Sequence, residues 1–417
     1  MDLQEQLAEL RRRMAQASER VEVEVAERQE QARARRAEAA AQLTELTRGH
    51  QVTTSKGVHL ECERTWDPRS HHGRVDIGAL SELPVDLFDA VTAGEAKPSS
   101  PDQWAFLDTE TTGLAGGSGT CAFLIGVGRI TPDGFRLRQF FLRDFGEEPS
   151  VLEALSEELS SATTLVTYNG RAFDVPLLET RYRMNRAKPP FAAMDHVDLL
   201  YGARRLWRLR LDNCKLQQLE RDIIGFERHG DIVGDQIPTA YFDFLRGQGA
   251  AWLAQVFEHN ALDIVTLACV AAVVPQRFQA PTSLSIDHPE EMVSMGRWLH
   301  QTSRVDEALA LFREAAARGL RDELMFRTLW DVSIIERRQK RWEAAVAIWS
   351  ELAAVANPHQ AASLIELSKH YEHREKNFSM ALEWVVQALA IEDLEDVRKR
   401  HTRLQRLAQS PKSQRLL

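Results

Sequence analysis

The stretch WAFLDTETTG, from Trp104, runs an apolar segment straight into two carboxylates, Asp108 and Glu110. Residues two apart on a strand point the same way, so both acids would share one face. Two carboxylates on one face near a core repel each other and are costly to bury unless a metal ion or an arginine sits between them. Two further acidic positions offer company. In VTYNGRAFDVPLLETRY a strand ends at Tyr168–Asn169, a glycine turn follows, and Asp174 stands near a helix start, where an aspartate also suits the helix N-terminus. In FEHNALDIVTLA, His259 and Asp263 are four apart on an otherwise apolar helix, hence on one face. Four carboxylates without thiol ligands suit hard, oxygen-seeking ions such as Mg²⁺ or Mn²⁺. Two such ions about 3.5–4 Å apart can clamp the attacking and leaving oxygens of a phosphodiester, and a nearby histidine can take the proton of the attacking water.

The elements that must position these groups lie between about residues 103 and 276. WAFLDTE, CAFLIGVGRI and FRLRQFFLRD read as three consecutive strands, SVLEALSEELSSA as a helix and TLVTYN as a fourth strand. DVPLLETRYRM, LDNCKLQQLERDIIG and AWLAQVFEHNALDIVTLACVAAVV read as helices. Strands first and helices after predict an α/β fold on a mixed sheet. The glycine-rich GLAGGSGT lacks a following Gly-Lys-Ser/Thr and precedes a strand, which argues for a tight crossover rather than a phosphate loop.

Around this domain the chain divides further. Residues 1–48 contain no proline, and Leu3, Leu7, Leu10, Met14, Ala17 and Val21 follow a short heptad seam, which predicts a helix able to pair with another copy. Residues 49–102 form a β- and turn-rich segment and linker. Its His71-His72 pair would point apart on either regular element, which argues against a metal site there. Residues 284–409 carry a repeat that aligns on Ala308, Ala345 and Ala381, with Phe312, Trp349 and Trp384 nearby. Its spacing is slightly longer than the usual tetratricopeptide unit and predicts stacked helix pairs that bind a protein partner. Residues 410–417 read as a flexible tail.

Composition narrows the class. The 417 residues are 44% hydrophobic and 27% charged, with a net charge of −9, so nucleic acid would need local basic patches. One such patch runs from Arg181 to Arg210, with Tyr182, Tyr201 and Trp207 among its arginines, a composition that suits a single strand. A second basic run begins after Val397 and reads either as a nucleic-acid arm or as a capping helix. Cys62, Cys121, Cys214 and Cys269 show no CxxC spacing, which points away from zinc and disulfides and toward a cytoplasmic protein. The N-terminus lacks the apolar core of a signal peptide, and no membrane association is expected.

FLDTETTGL, YNGRAFDVPLL and HNALDIVTLA, in that order, resemble the three motifs of the DEDD, or DnaQ-like, 3′–5′ exonucleases with a ribonuclease H-like fold. DTETTGLAGGSGTCAFLIGVG is most similar to the YprB-type branch, which also occurs joined to tetratricopeptide repeats. The resemblance implies that Asp108, Glu110, Asp174 and Asp263 hold two Mg²⁺ or Mn²⁺ ions. It puts His259 in the place of the residue that orients or deprotonates water, and sets Thr109, Thr111, Thr112, Gly113, Asn169 and Gly170 beside the substrate, a single strand or 3′ end of DNA or RNA. His259 stands four residues before Asp263, where tyrosine-type members carry a tyrosine, while histidine-type members place a histidine five before. The spacing leaves its role open. Asp198 matches a frequent aspartate between the second and third motifs and has a ready use as a cap or brace. Two rival readings remain: a catalytically idle scaffold, and an enzyme acting on mononucleotides.

Overall fold

The computed structural model describes residues 3–88, 92, 96–113, 119–279 and 286–409. The chain forms two compact units, one of residues 1–204 with 213–279 and one of residues 205–212 with 280–417. The mixed sheet with flanking helices, the N-terminal helix and the all-helical C-terminal region agree with the expected fold class.

Alternating apolar residues with glycine and aromatics build the sheet of the first unit. Its strands are β1 (His50–Thr54), β2 (Gly57–Trp66), β5 (Trp104–Thr111), β6 (Ala122–Thr131), β7 (Gly134–Phe141), β8 (Thr164–Thr167) and β9 (Asp195–Asp198), with a separate small hairpin of β3 (His71–His72) and β4 (Val75–Asp76). The sheet order is β1-β2-β7-β6-β5-β8-β9. Pairing is antiparallel from β1 to β5 and parallel along β5, β8 and β9. Residues 49–102, set apart by the sequence, thus contribute β1 and β2 to the main sheet. β2 buries Leu60 and Cys62 on one face and His59 and Glu61 on the other, so it needs a neighbour for its ladder and cover for both faces.

Helix α1 (Leu3–Thr47) runs for 45 residues. Its last turns bury Ala39 and Leu43 in the core, while Met14 and Val21 of the expected seam are exposed. The side chains of Leu3, Leu7 and Leu10 lie outside the described residues. On the opposite face of the sheet pack α2 (Glu148–Glu158) and α3 (Asp174–Met184), tied by Tyr182 Oη donating to the Leu152 carbonyl at 2.9 Å. The chain continues through α4 (Leu199–Trp207), α5 (Ile237–Leu245) and α6 (Ala250–Gln279).

α6 is the element that brings the third motif to the sheet. Val256, Ile264, Val265 and Leu267 are at most 1% exposed, each contributing about 1.5–3 kcal/mol by burial. Among the described residues α6 is the one helix long and apolar enough to cross a membrane, yet 78% of that stretch is buried in the fold, as in the core helix of a globular domain. Two glycines of β6 let it approach closely. A Cβ on Gly126 would sit 2.4 Å from Asn260 Oδ1, and one on Gly128 would sit 2.6 Å from the Ile264 side chain.

The second unit stacks α7 (Pro289–Gln301), α8 (Val305–Arg318), α9 (Asp322–Arg338), α10 (Trp342–Ala354), α11 (Gln360–His373), α12 (Phe378–Ile391) and α13 (Glu395–Ala408). Ala308, Ala345 and Ala381, the positions that align in sequence, are each completely buried. Small residues there let neighbouring helices approach. The basic run after Val397 forms α13, where Arg400 and Arg403 both bind Glu372 and Arg398 binds Asp393 at 2.5 Å. The described part of this run is a helix that buries Val397 and Leu404, as the capping-helix alternative expects. Residues 410–417 lie outside the described residues.

Candidate active site

Three elements converge at the C-terminal end of β5. Asp108 and Glu110 extend from the same face of this strand, toward α6, and the ladder shifts register between Glu110 and Thr111. Asp174 opens α3 after β8, following a turn in which Asn169 adopts φ +68°. A Cβ on Gly170 would lie 2.6 Å from Cβ of Thr167, so this turn requires glycine. Asp198 braces the turn. Its carboxylate accepts the amide protons of Asn169 (2.8 Å), Arg171 (3.1 Å) and Leu200 (3.1 Å). α6 supplies His259, Asn260 and Asp263 from one side of its middle turns.

Neutral donors hold the carboxylates in place. Asn260 Nδ2 donates to Asp108 Oδ2 at 3.0 Å, and Asn260 Oδ1 accepts from Gln139 Nε2 at 2.9 Å. Gln139 also donates to the Phe257 carbonyl at 2.8 Å. Because Asp108 pairs across the ladder with Gly126, Asn260 reaches it over a position without a side chain. Thr109 Oγ1, on the other face of β5, donates to Asp174 Oδ1 at 2.5 Å. Among the described residues, none of Asp108, Glu110 and Asp174 is ion-paired to a lysine or arginine. Burial, then the charges of Asp174 and Asp263, push the Asp108 carboxyl well above its ordinary range. Burial and the charges of Asp108, Asp263, Asp174 and Asp231 do the same to Glu110. Asp174 is pushed up to about 6, mainly by burial, against the hydrogen bond from Thr109. A cation among these carboxylates would relieve their mutual repulsion.

Asp263 has a cationic neighbour. Arg228, from the irregular segment after the turn at Gly225, reaches it through Nη2 at 2.5 Å. The same guanidinium binds Glu220 through Nε at 2.5 Å and Asp231 through Nη1 at 3.1 Å. Glu220 is further held by Thr266 Oγ1 and by His72 Nε2 at 3.2 Å. His72 is buried and stacks on Phe226, while His71 is exposed, so the two histidines do point apart. Burial opposes ionisation of Glu220, but His72, Arg228 and Thr266 hold its carboxyl below the usual value.

His259 is 7% exposed. Its Nδ1 lies 2.8 Å from Asp231 Oδ1. Its Nε2 faces Asp263 Oδ2 at 3.5 Å and Glu110 Oε1 at 4.0 Å. Burial would lower the imidazole's affinity for a proton, but the bond to Asp231 and the charges of Asp263 and Asp231 outweigh it and raise its pKa. Potential ligand atoms of Glu110, His259 and Asp263 lie within 4.8 Å of one another. Oxygen-rich, dehydrated and short of cations, this donor set fits a divalent metal ion.

A cleft of about 490 Å³ opens beside Asp108 and Asp174, lined by Thr109, Thr111, Gly113, Tyr168, Asn169 and Phe173 among others. Phe173 is 58% exposed, an aromatic face next to the acids. Of the expected substrate-side residues, Thr109 and Thr111 line the cleft but spend their hydroxyls locally, Thr109 on Asp174 and Thr111 on the Gly113 carbonyl at 3.0 Å. Thr112 Oγ1 accepts the Cys121 amide proton at 3.0 Å, and Gly170 serves the turn. Most of the glycine-rich crossover, residues 114–118, lies outside the described residues. Of the basic patch, Arg183, Arg186, Lys188, Arg204 and Arg208 are exposed, while three other arginines have partners. Arg181 pairs with Glu148 at 2.5 Å, Arg210 with Glu291 at 3.0 Å, and Arg205 stacks over Trp298. Tyr182 and Trp207 are buried and offer no ring to a base, whereas Tyr201 is exposed.

Sequence reasoning missed Asn260, Gln139, Gly126, Arg228 and Asp231. Asn260 sits inside the quoted third motif, so its signal was present. Arg228 and Asp231 lie in an irregular segment whose spacing carries no periodicity to reveal a shared target.

Residues 105–274 match the RNase_H superfamily. A protein of Bacillus subtilis (strain 168), named "Uncharacterized protein YprB", is 32% identical over 349 residues, 82% of this chain and 83% of its own.

Proposed function

The chain belongs to the YprB family and carries an RNase_H-superfamily domain, and from that premise we propose that it is a metal-dependent nuclease, a 3′–5′ exonuclease of single-stranded DNA or RNA. The observation that carries this reading is the convergence of Asp108, Glu110, Asp174 and Asp263 from three elements, three of them without a lysine or arginine partner among the described residues, beside an open cleft. Mg²⁺ or Mn²⁺, as a pair of ions, would supply Lewis acidity toward the phosphodiester and the attacking water. The four carboxylates would hold the ions. Asn260 keeps Asp108 turned toward them. Thr109 does the same for Asp174. Phe173 and Tyr168 bound the cleft in which the terminal nucleotide lies, with Phe173 free to stack on its base. The stacked helices of the second unit, read as tetratricopeptide-like, dock a protein partner, and the exposed stretch of α1 pairs with a second copy. The four free thiols among the described residues suit a reducing cytoplasm.

One observation favours the rival, an idle scaffold: Arg228 already binds Asp263. End-labelled single-stranded DNA and RNA incubated with Mn²⁺ or Mg²⁺ separate the two. The nuclease reading expects a ladder that shortens from the 3′ end and is lost in Asp108→Ala. Intact strands with both metals, bound but not cut, would select the scaffold.

A further inference from the structure

We propose that His259 is itself a ligand of a divalent ion, with Asp231 as its positioning residue, rather than the proton acceptor implied by the family resemblance. The ion would be held by Nε2 of His259 together with Glu110 and Asp263. This rests on the reading of the acidic cluster as a metal site and gives that site one nitrogen ligand.

His259 is 7% exposed, and its Nδ1 is fixed by Asp231 Oδ1 at 2.8 Å. Asp231 is in turn held by Arg228 Nη1 at 3.1 Å, so the ring has little freedom to turn. A carboxylate on one ring nitrogen is the usual partner of a histidine whose other nitrogen binds metal, because it fixes the tautomer and presents the second lone pair. Nε2 lies 3.5 Å from Asp263 Oδ2 and 4.0 Å from Glu110 Oε1, longer than ordinary hydrogen bonds. Two ligands on one octahedral ion stand about 3 Å apart at a right angle and about 4 Å apart when opposite. Both observed separations fall in or near that interval. An ion between the two carboxylates is therefore within bonding reach of Nε2, and a nitrogen lone pair given to the ion is not available to take a proton from water. The spacing of four residues from His259 to Asp263 supports the same reading, since it stacks both ligands on one face of α6.

A nitrogen ligand shifts metal preference. Imidazole is a ligand for transition ions, with affinity rising from Mn²⁺ toward the later ones, whereas Mg²⁺ takes oxygen, so a nitrogen ligand should tilt the site away from Mg²⁺. The test uses full-length, metal-stripped protein loaded with Mn²⁺ alone and read by pulsed electron paramagnetic resonance, with no substrate. The expected result is a ¹⁴N coupling from imidazole that disappears in His259→Gln. By titration calorimetry His259→Gln should lose about 10–100-fold in Mn²⁺ affinity but less than about threefold for Mg²⁺, and Asp231→Asn should weaken Mn²⁺ by about tenfold. A wild-type spectrum without nitrogen coupling, or a coupling that persists in His259→Gln, overturns the assignment. The wild-type spectrum decides even if a variant fails to fold. A nitrogen-coupled ion in a protein that cuts no strand would retire the nuclease reading and leave this one standing. Cleavage with an all-oxygen ion would do the reverse.

Discussion

In the C-terminal helices, Glu336 has no exposed surface and is met by Arg313 and Arg341, Glu372 by Arg400 and Arg403, and Glu366 by Arg337 and Lys369. At the end of β5, Glu110 is buried and Asp108 and Asp174 are half-buried, yet the bonds to the two aspartates come from Asn260 and Thr109, and among the described residues no lysine or arginine pairs with any of the three. The first unit can pair its acids where structure alone is at stake: Glu158 binds Arg136 and Arg138, and Glu148 binds Arg181. The contrast separates acids paired with arginine or lysine within the fold from acids whose charge no arginine or lysine among the described residues meets. Arg228, on Asp263, stands at the border between the two groups.

This comparison can be broken most directly at Asp108. Asp108→Ala should lower cleavage on the order of 10³-fold or more, with folding retained, as read from single-turnover rates and circular dichroism. Next in size is the opposite experiment on a structural acid. Replacing Arg313 and Arg341 together by Met strands the buried Glu336 and should cost about 3–5 kcal/mol in denaturant unfolding, without affecting metal binding. A mild effect there would mean that the pairing of the helical acids is incidental.

Gly126→Ala tests the support of the site. Its Cβ displaces Asn260 from Asp108 and should weaken Mn²⁺ binding about 10–100-fold by calorimetry. pH gives a smaller, graded effect. Asp174 is raised to about 6, so metal affinity should fall as pH drops through about 6, up to tenfold per unit below it. The sign for folding is the reverse. A carboxyl whose folded pKa exceeds its unfolded value stabilises the protonated fold at low pH, and metal-free stability is lost as pH rises from about 4 through about 6. The smallest effect follows from this. Asp108→Asn, by relieving repulsion at pH 7.5, should raise metal-free stability by about 1 kcal/mol, or about 2–4 °C in Tm, while abolishing metal binding. A destabilised Asp108→Asn would place Asp108 among the structural acids.

Much of the site was legible because its residues sit at regular spacings. Asp108 and Glu110 are two apart on a strand, His259 and Asp263 four apart on a helix, and Asp174 opens α3. Burial and periodicity announced the core helix α6 as well. The segment holding β2 was legible as β-rich but not as part of the main sheet, because partner choice depends on a ladder with β7, about 75 residues away. The basic run from Arg181 to Arg210 was legible only in part, for a related reason: Arg181 and Arg210 meet buried glutamates, while Arg183, Arg186, Lys188, Arg204 and Arg208 stay exposed. Whether an arginine faces solvent or a buried glutamate depends on what folds against it.

The sequence alone determined which residues could bind a cation and that they would ride on a mixed α/β sheet, since type and period are local properties. Only the tertiary structure decided which acids went without arginine partners, that Asn260 reaches Asp108 across Gly126, and that Asp231 turns His259 toward Glu110 and Asp263. These are choices between partners distant in the chain, and they depend on distances that close packing alone sets.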